Sequence, residues 1–325
     1  MALDAATQNL LDTMRASGGK PVHETPLSEL RPAIRTMSQQ LGGPPVAVHS
    51  VTNRTVRGPS GEFGIRIYTP RTLNAGERLP IILHYHGGGW VAGDLDSHDT
   101  ISRYYCVHAD AIVVSVDYRL APEHKFPAAV DDCFAALMWV ADHARELGGD
   151  SDRIAVTGDS AGGSLSAVVC QLAKARGGAP RIAFQALLYP SVDLDSTSDY
   201  PSRRQFGGGE YFLSAADMSY FATQYLNNQA SEGKDPRASP IAGRDLAALP
   251  PALVVTAGFD PLRDEGKAYA DRLAAAGVPA EYRCVDGTIH AFVSFSGAIP
   301  AGTEALAFIA SRLRRALHPG SIAAS

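Results

Sequence analysis

Apolar and polar residues alternate along this chain with two different periods. Asp4 to Ala16 and Ser28 to Gln40 carry apolar residues at helical spacing. In the first, Leu3, Leu10, Leu11 and Met14 fall near one face. Gly42-Gly43-Pro44-Pro45 then breaks the pattern. Val46 to Thr55 and Gly64 to Tyr68 alternate with a period of two, which predicts strands with one wet face. Further on, the strand candidates lose their polar positions. Pro80 to His86, Ala111 to Val116, Ile154 to Thr157, Ala183 to Leu188 and Leu253 to Ala257 are short, nearly continuous apolar runs, and Tyr282 to Val285 is a weaker one. Such runs predict strands buried on both faces of a parallel sheet.

Helical patterns alternate with them, over Pro127 to Leu147, Ala161 to Arg176, Glu265 to Ala276 and Thr303 to Leu317. Alternation of strand and helix implies an α/β protein, a parallel sheet covered on both faces. Ligands on such a sheet bind at the carboxyl ends of the strands. One stretch interrupts the alternation. The chain from Pro190 to Pro250 separates two neighbouring strands and is far longer than an ordinary connection. It holds Gly207-Gly208-Gly209 and a helix-like, aromatic-bearing run from Ser214 to Leu226. We expect it to pack with the N-terminal helices as a helical cap. The division is then 1–45 and 191–240 for the cap, and 46–190 and 241–325 for the α/β domain.

Composition narrows the reading without changing it. The chain has 325 residues, 45% of them hydrophobic, enough for a sizeable core. A net charge of −5 with no basic block argues against a nucleic-acid partner. No run of 18 apolar residues suggests a membrane span, and the N-terminus, with acids early and no uninterrupted apolar stretch, does not read as a signal peptide. Cys106, Cys133, Cys170 and Cys284 are widely spaced and form no C-x-x-C, which reads as free thiols in a cytoplasmic protein. His84 and His86 share a strand face but have no third ligand beside them, so no metal is expected. No cofactor signature is present.

The chemistry sits in the connections. Gly158-Asp-Ser-Ala-Gly162 follows an apolar run and precedes a helix, the context in which a G-x-S-x-G turn exposes a serine hydroxyl on a sharp elbow. Ser160 is the candidate nucleophile. A serine needs a base, and the base needs a carboxylate to hold its tautomer. On a sheet of this kind the partners follow in the order serine, acid, histidine. His290 and His318 lie beyond the last strand candidate; His318 sits by Pro319-Gly320 and reads as a solvated tail residue, which leaves His290 as the base. Asp260, in the loop that ends the strand Leu253 to Ala257, is the candidate acid. Asp264 and Glu265 fit the first turn of the next helix, and Asp286 is too near His290 in sequence to compete well. Acyl transfer also needs donors for an oxyanion. Gly87-Gly88-Gly89 follows a strand directly, and the N–H groups of Gly88 and Gly89, with that of Ala161 after the serine, are the candidates. Asp159 reads as an orienting or structural group, His86 as a shaper of the glycine loop, and Arg119 with Glu123 as an ion pair fixing theirs.

Five motifs in order, HGGGW at 86–90, DYRLAPE at 117–123, GDSAGG at 158–163, DPLRDEG at 260–266 and the late His290, make the chain resemble the hormone-sensitive-lipase-like family of bacterial carboxylesterases. The resemblance implies an α/β-hydrolase fold, with a mostly parallel eight-stranded sheet flanked by helices and a helical cap. It implies hydrolysis of short- to medium-chain carboxylic esters without a cofactor. The triad role falls on Ser160, Asp260 and His290, and the oxyanion role on Gly88, Gly89 and Ala161. It is compatible with a homodimer, whose interface no sequence feature locates. One departure is Ala291, where the family often has glycine after the histidine. The cap aromatics Phe206, Tyr211, Phe212 and Phe221 are expected to shape the pocket. A binding protein of this fold, as the plant gibberellin receptor is, lacks the catalytic histidine, so His290 favours an enzyme. Sequence does not separate an ester from an amide or lactone substrate.

Overall fold

The apolar runs become the inner strands of one sheet in the computed structural model, which describes residues 2–320. Its strands are β1 (Ser50–Gly58), β2 (Gly61–Thr69), β3 (Leu79–Tyr85), β4 (Ile112–Asp117), β5 (Gly149–Asp159), β6 (Ile182–Leu188), β7 (Ala252–Phe259) and β8 (Ala280–Ile289), in the spatial order β1-β2-β4-β3-β5-β6-β7-β8. The pairs from β4 through β3, β5, β6 and β7 to β8 are parallel. β2 runs antiparallel to both its neighbours. Every residue of β3 and of β7 is buried, as the loss of polar alternation predicted, whereas the edge strand β1 is mostly exposed.

Successive side chains of a strand leave opposite faces, and so the sheet divides the core in two. Ile81, Leu83 and Tyr85 enter one apolar cluster with α4 (Ala128–His143), α5 (Ala161–Ala175) and α9 (Arg263–Ala275). Ile82 enters the other with α3 (Asp99–His108) and α10 (Pro300–Leu317). Each such fully buried aliphatic side chain contributes about 1.5–3 kcal/mol relative to an exposed one. All four cysteines are free; Cys106, Cys133 and Cys170 are buried. No helix among the described residues is long and apolar enough to cross a membrane.

Three readings need correction. The helix α3 was not anticipated: its Thr, Ile, Val and paired Tyr residues dilute the helical signal, and it forms because Ile101, Tyr105 and Cys106 bury against the sheet and α10. Arg119 and Glu123 do not pair. Arg119 forks onto buried Asp132 (2.8 Å), and Glu123 receives Arg31 of α2 (Leu27–Leu41) at 2.6 Å. His318 is no solvated tail, since its Nε2 lies 3.0 Å from the carbonyl oxygen of Ala109.

The long connection carries α6 (Pro201–Phe206), α7 (Ala215–Tyr225) and the short α8 (Gln229–Glu232). Ser214 and Asp217 form a capping box that starts α7. The Asp217 carboxylate also accepts from the His23 backbone N–H (3.1 Å) and lies 2.7 Å from its Nδ1. This buried group ties α7 to the segment between α2 and the N-terminal helix α1 (Ala5–Ala16).

Candidate active site

The carboxyl ends of β3, β5, β7 and β8 converge, and each brings one candidate group. Between β5 and α5 the chain turns so sharply that Ser160 takes φ 54° and ψ −118°, outside the ordinary range of an L-residue. The turn is possible because Gly162 carries no side chain; a Cβ there would run into the Tyr85 carbonyl. The strained elbow presents the Ser160 hydroxyl to His290, whose Nε2 lies 2.9 Å from Oγ. His290 follows β8, and its Nδ1 lies 2.7 Å from Asp260 Oδ2. Asp260, beyond the end of β7, is fully buried, and its other oxygen accepts the Leu262 N–H at 2.8 Å. The carboxylate is thus held on both sides and fixes the ring so that Nδ1 donates and Nε2 can accept. The Tyr189 ring packs at a steep angle against the imidazole, 4.9 Å between ring centres, and limits its rotation.

The glycine loop lies beside Ser160. Gly88 and Gly89 have φ 114° and 61°, and a side chain on Gly89 would run into the Phe221 ring. Among the described residues, the N–H groups of Gly88 and Gly89 donate to no protein acceptor. Ala161 opens α5, where the first N–H groups have no partner within the helix. Three unengaged donors therefore stand beside one hydroxyl. Gly87, the first residue of the loop, is tied down: its N–H donates to Asp159 Oδ1 at 3.0 Å.

Beneath the loop are His84, His86, His98 and Asp159, all buried. Burial alone would push the Asp159 carboxyl up; His98 above all, with His84 and His86, holds it down at about 2. Burial pushes His84 down to about 3 and His86 to about 4, with His98 adding to both. Among the described residues, no three His, Cys, Asp or Glu side chains are arranged so that they could hold a metal ion.

All of this opens into a cavity of about 820 Å³. Its walls are mainly apolar and come from the α1–α2 region (Leu11, Leu30, Ile34) and from the long connection (Phe212, Leu213, Phe221). Two of the four aromatics expected there do not line it. Phe206 and Tyr211 pack on Phe259 instead, at 5.4 and 5.1 Å between ring centres.

Ala291, the departure from the family pattern, sits on the cavity wall with φ 66°. A left-handed conformation costs an alanine about 1–2 kcal/mol, part of which glycine returns to the unfolded chain. Ala291→Gly is therefore expected to raise stability by about 0.5–1 kcal/mol, a rise of about 1–3 °C in a thermal melt. A lower melting temperature would mean that the methyl's packing outweighs the backbone strain.

A model of the alpha/beta hydrolase fold matches residues 82–294. Over 313 residues the chain is 43% identical to a carboxylic ester hydrolase, LipN, of Mycobacterium tuberculosis, covering 94% of this chain and 81% of that protein. It is 41% identical to carboxylesterase NlhH of the same organism, with 97% of each chain covered. The structure of a hyperthermophilic esterase from the archaeon Pyrobaculum calidifontis superposes with a TM-score of 0.91 at 41% identity, over 97% of this chain and 98% of that one.

Proposed function

Since this chain belongs to the hormone-sensitive-lipase-like carboxylic ester hydrolases of the α/β-hydrolase superfamily, we propose that it hydrolyses short- to medium-chain esters through an acyl-enzyme on Ser160. The observation that carries this reading is the continuous chain Ser160 Oγ–His290 Nε2 (2.9 Å) and His290 Nδ1–Asp260 Oδ2 (2.7 Å) at the floor of an apolar cavity.

Each step uses a group already in place. His290 Nε2 accepts the Ser160 proton as Oγ attacks the ester carbonyl. The carbonyl oxygen gains negative charge and accepts from the N–H groups of Gly88, Gly89 and Ala161. These donors need no reorganisation, because no protein group has to be given up first. Asp260 stabilises the imidazolium formed at that moment. The imidazolium then protonates the leaving alcohol, and the neutral ring takes a proton from water, which attacks the acyl carbon and frees Ser160. In acid a protonated His290 cannot start the cycle. The helical cap, made of residues 1–45 and 191–240, covers the pocket in this reading and sets its length. A cytoplasmic location belongs to the same reading and is supported by the four free thiols.

The apolar walls favour uncharged acyl chains, while the finite cavity penalises long ones. With p-nitrophenyl esters from acetate to palmitate, kcat/KM is expected to peak between four and eight acyl carbons. It should fall at least about tenfold by sixteen, the effect of excluding a few methylenes from a pocket. A maximum at palmitate would place the enzyme among lipases. No hydrolysis of any ester, with tight binding of an ester or its product, would make the protein a binder.

A further inference from the structure

Phe206 and Tyr211 miss the cavity, and most residues of the motif that carries Asp260 take no part in the chemistry. Both facts follow from how the short helix α6 docks on the segment 259–265. Apart from His290, the Asp260 carboxylate meets one hydrogen-bond partner among the described residues, the Leu262 N–H. Its place therefore depends on the backbone on either side of it. Before Asp260 stands Phe259, whose ring packs against Phe206 at 5.4 Å and Tyr211 at 5.1 Å between centres. After it stands Pro261, whose carbonyl accepts the Ser202 hydroxyl at 2.8 Å. Ser202 and Phe206 are four residues apart in one helix, so they share a face, and both are buried. That face grips both neighbours of the acid. The Arg263 guanidinium covers the Phe206 ring at 5.0 Å.

The docking is reciprocal. The Ser202 N–H, a first-turn donor with no partner inside its helix, donates to Asp264 Oδ2 at 2.9 Å, and the Asp264 N–H donates back to Ser202 Oγ at 3.2 Å. The next residue, Arg203, donates from Nε and Nη2 to Glu265 Oε2 at 3.0 and 2.5 Å. The other oxygen of the fully buried Glu265 accepts the Val192 and Asp193 N–H groups at 2.9 and 3.3 Å. Arg203 Nη2 also donates to the Asp193 carbonyl at 2.7 Å. The adjacent Ser191 N–H donates to the Ser160 carbonyl at 3.2 Å. One short helix thus bears on the acid loop directly and, through residues 191–193, on the nucleophile elbow.

We propose that Ser202 and Phe206 are positioning residues for the triad: by holding Pro261 and Phe259 they keep the Asp260 carboxylate on His290 Nδ1. Neither touches a reacting atom, and neither lines the cavity. The inference rests on the triad role assigned above to Asp260. Its physical basis is the steep dependence of rate on placement, in which a shift of about 1 Å in the reacting geometry can cost about 10²-fold.

The test measures steady-state hydrolysis of a p-nitrophenyl ester, with a thermal melt, for wild type, Ser202→Ala, Phe206→Leu, Asp260→Ala and the two double variants that combine Asp260→Ala with each of the others. Ser202→Ala deletes the hydroxyl that holds Pro261. It is expected to lower kcat about tenfold, short of a full 1 Å displacement, with KM within about twofold because the cavity walls are untouched. Phe206→Leu loosens the other side and should lower kcat about three- to tenfold. Asp260→Ala retains a residual rate but has no carboxylate left to position. In that background, adding Ser202→Ala or Phe206→Leu should cost about twofold or less. A helix that merely supports the fold would cost the same in both backgrounds. That result, or an unchanged kcat in a folded Ser202→Ala protein, overturns the proposal. If Ser202→Ala does not fold, the Phe206→Leu pair is read against the same two outcomes. An Asp260→Ala protein that keeps the wild-type kcat would instead overturn the triad reading itself.

Discussion

Ser160→Ala is expected to lose about 10⁵- to 10⁶-fold in kcat on any ester the wild type accepts, the scale seen when a nucleophile acting within a triad is removed. The reason is that Oγ is the one atom positioned to form the acyl bond: it accompanies the strained elbow and lies 2.9 Å from His290 Nε2. The substitution should leave the fold intact. Alanine at 160 keeps the same backbone strain, the neighbouring glycine contacts and the Ser160 carbonyl bonds to Ser164 and Ser191, and it deletes a single hydrogen bond, a net effect of about 1 kcal/mol. KM or inhibitor binding should therefore survive while turnover does not. His290→Ala should fall about as far, and the Ser160→Ala/His290→Ala pair hardly further, because the two act as a unit. Asp260→Asn should cost about 10⁴-fold, since the asparagine favours the wrong tautomer of His290. The measurement is single-turnover and steady-state hydrolysis of a p-nitrophenyl ester, with a thermal melt on each variant. A folded Ser160→Ala protein with more than about one per cent of wild-type kcat would remove Ser160 from the mechanism.

The second large effect is on stability, at His84. Burial pushes this ring down to about 3 in the folded protein, whereas an unfolded histidine takes its proton near the ordinary value of 6.5. As pH falls from 6.5 towards 3, the unfolded chain binds a proton that the folded one refuses, so the folded state loses stability in that window. At about 1.4 kcal/mol per pH unit the loss reaches about 3 kcal/mol by about pH 4.5. Two groups act with the opposite sign. Burial pushes the carboxyls of Asp117 and Glu265 up, to about 6 and about 7, so they take up protons on folding in the same window. His86, pushed down to about 4, acts with the same sign as His84, so the curve of the whole protein mixes opposing terms and a comparison of variants isolates the effect of His84. His84→Gln removes the titration. It should be less stable than wild type at about pH 7.5, where its packing fits worse and the 3.0 Å contact of Nδ1 with Ser102 Oγ is lost. By about pH 4.5 that deficit should shrink or reverse by about 3 kcal/mol. Denaturant unfolding of both proteins at the two pH values reads this directly. A deficit that stays constant would mean that His84 takes its proton inside the fold.

Much of this protein could be read before any fold was known. The apolar runs marked six of the strands within a few residues, because a strand buried on both faces cannot afford polar positions, and alternation with a period of two marked β1 and β2. The order of serine, acid and histidine singled out Ser160, Asp260 and His290 because each follows a strand of one parallel sheet, and strand ends converge by topology. The glycines at 87–89, 158 and 162 were legible because a turn without room for Cβ can be filled by one residue only. What stayed hidden depends on contacts between residues far apart in the chain. The helix at Asp99–His108 is stabilised by the sheet it packs on more than by its own composition. Arg119 found Asp132 and Glu123 found Arg31, where sequence proximity had suggested one another. Phe206 and Tyr211 turned under the cavity onto Phe259 while Phe212 and Phe221 faced it, since an irregular connection has no period that tells inside from outside. His98 is the clearest case. Its Nε2 accepts the Gly87 N–H at 3.3 Å beside the Asp159 carboxylate, neighbours that only the tertiary structure brings together.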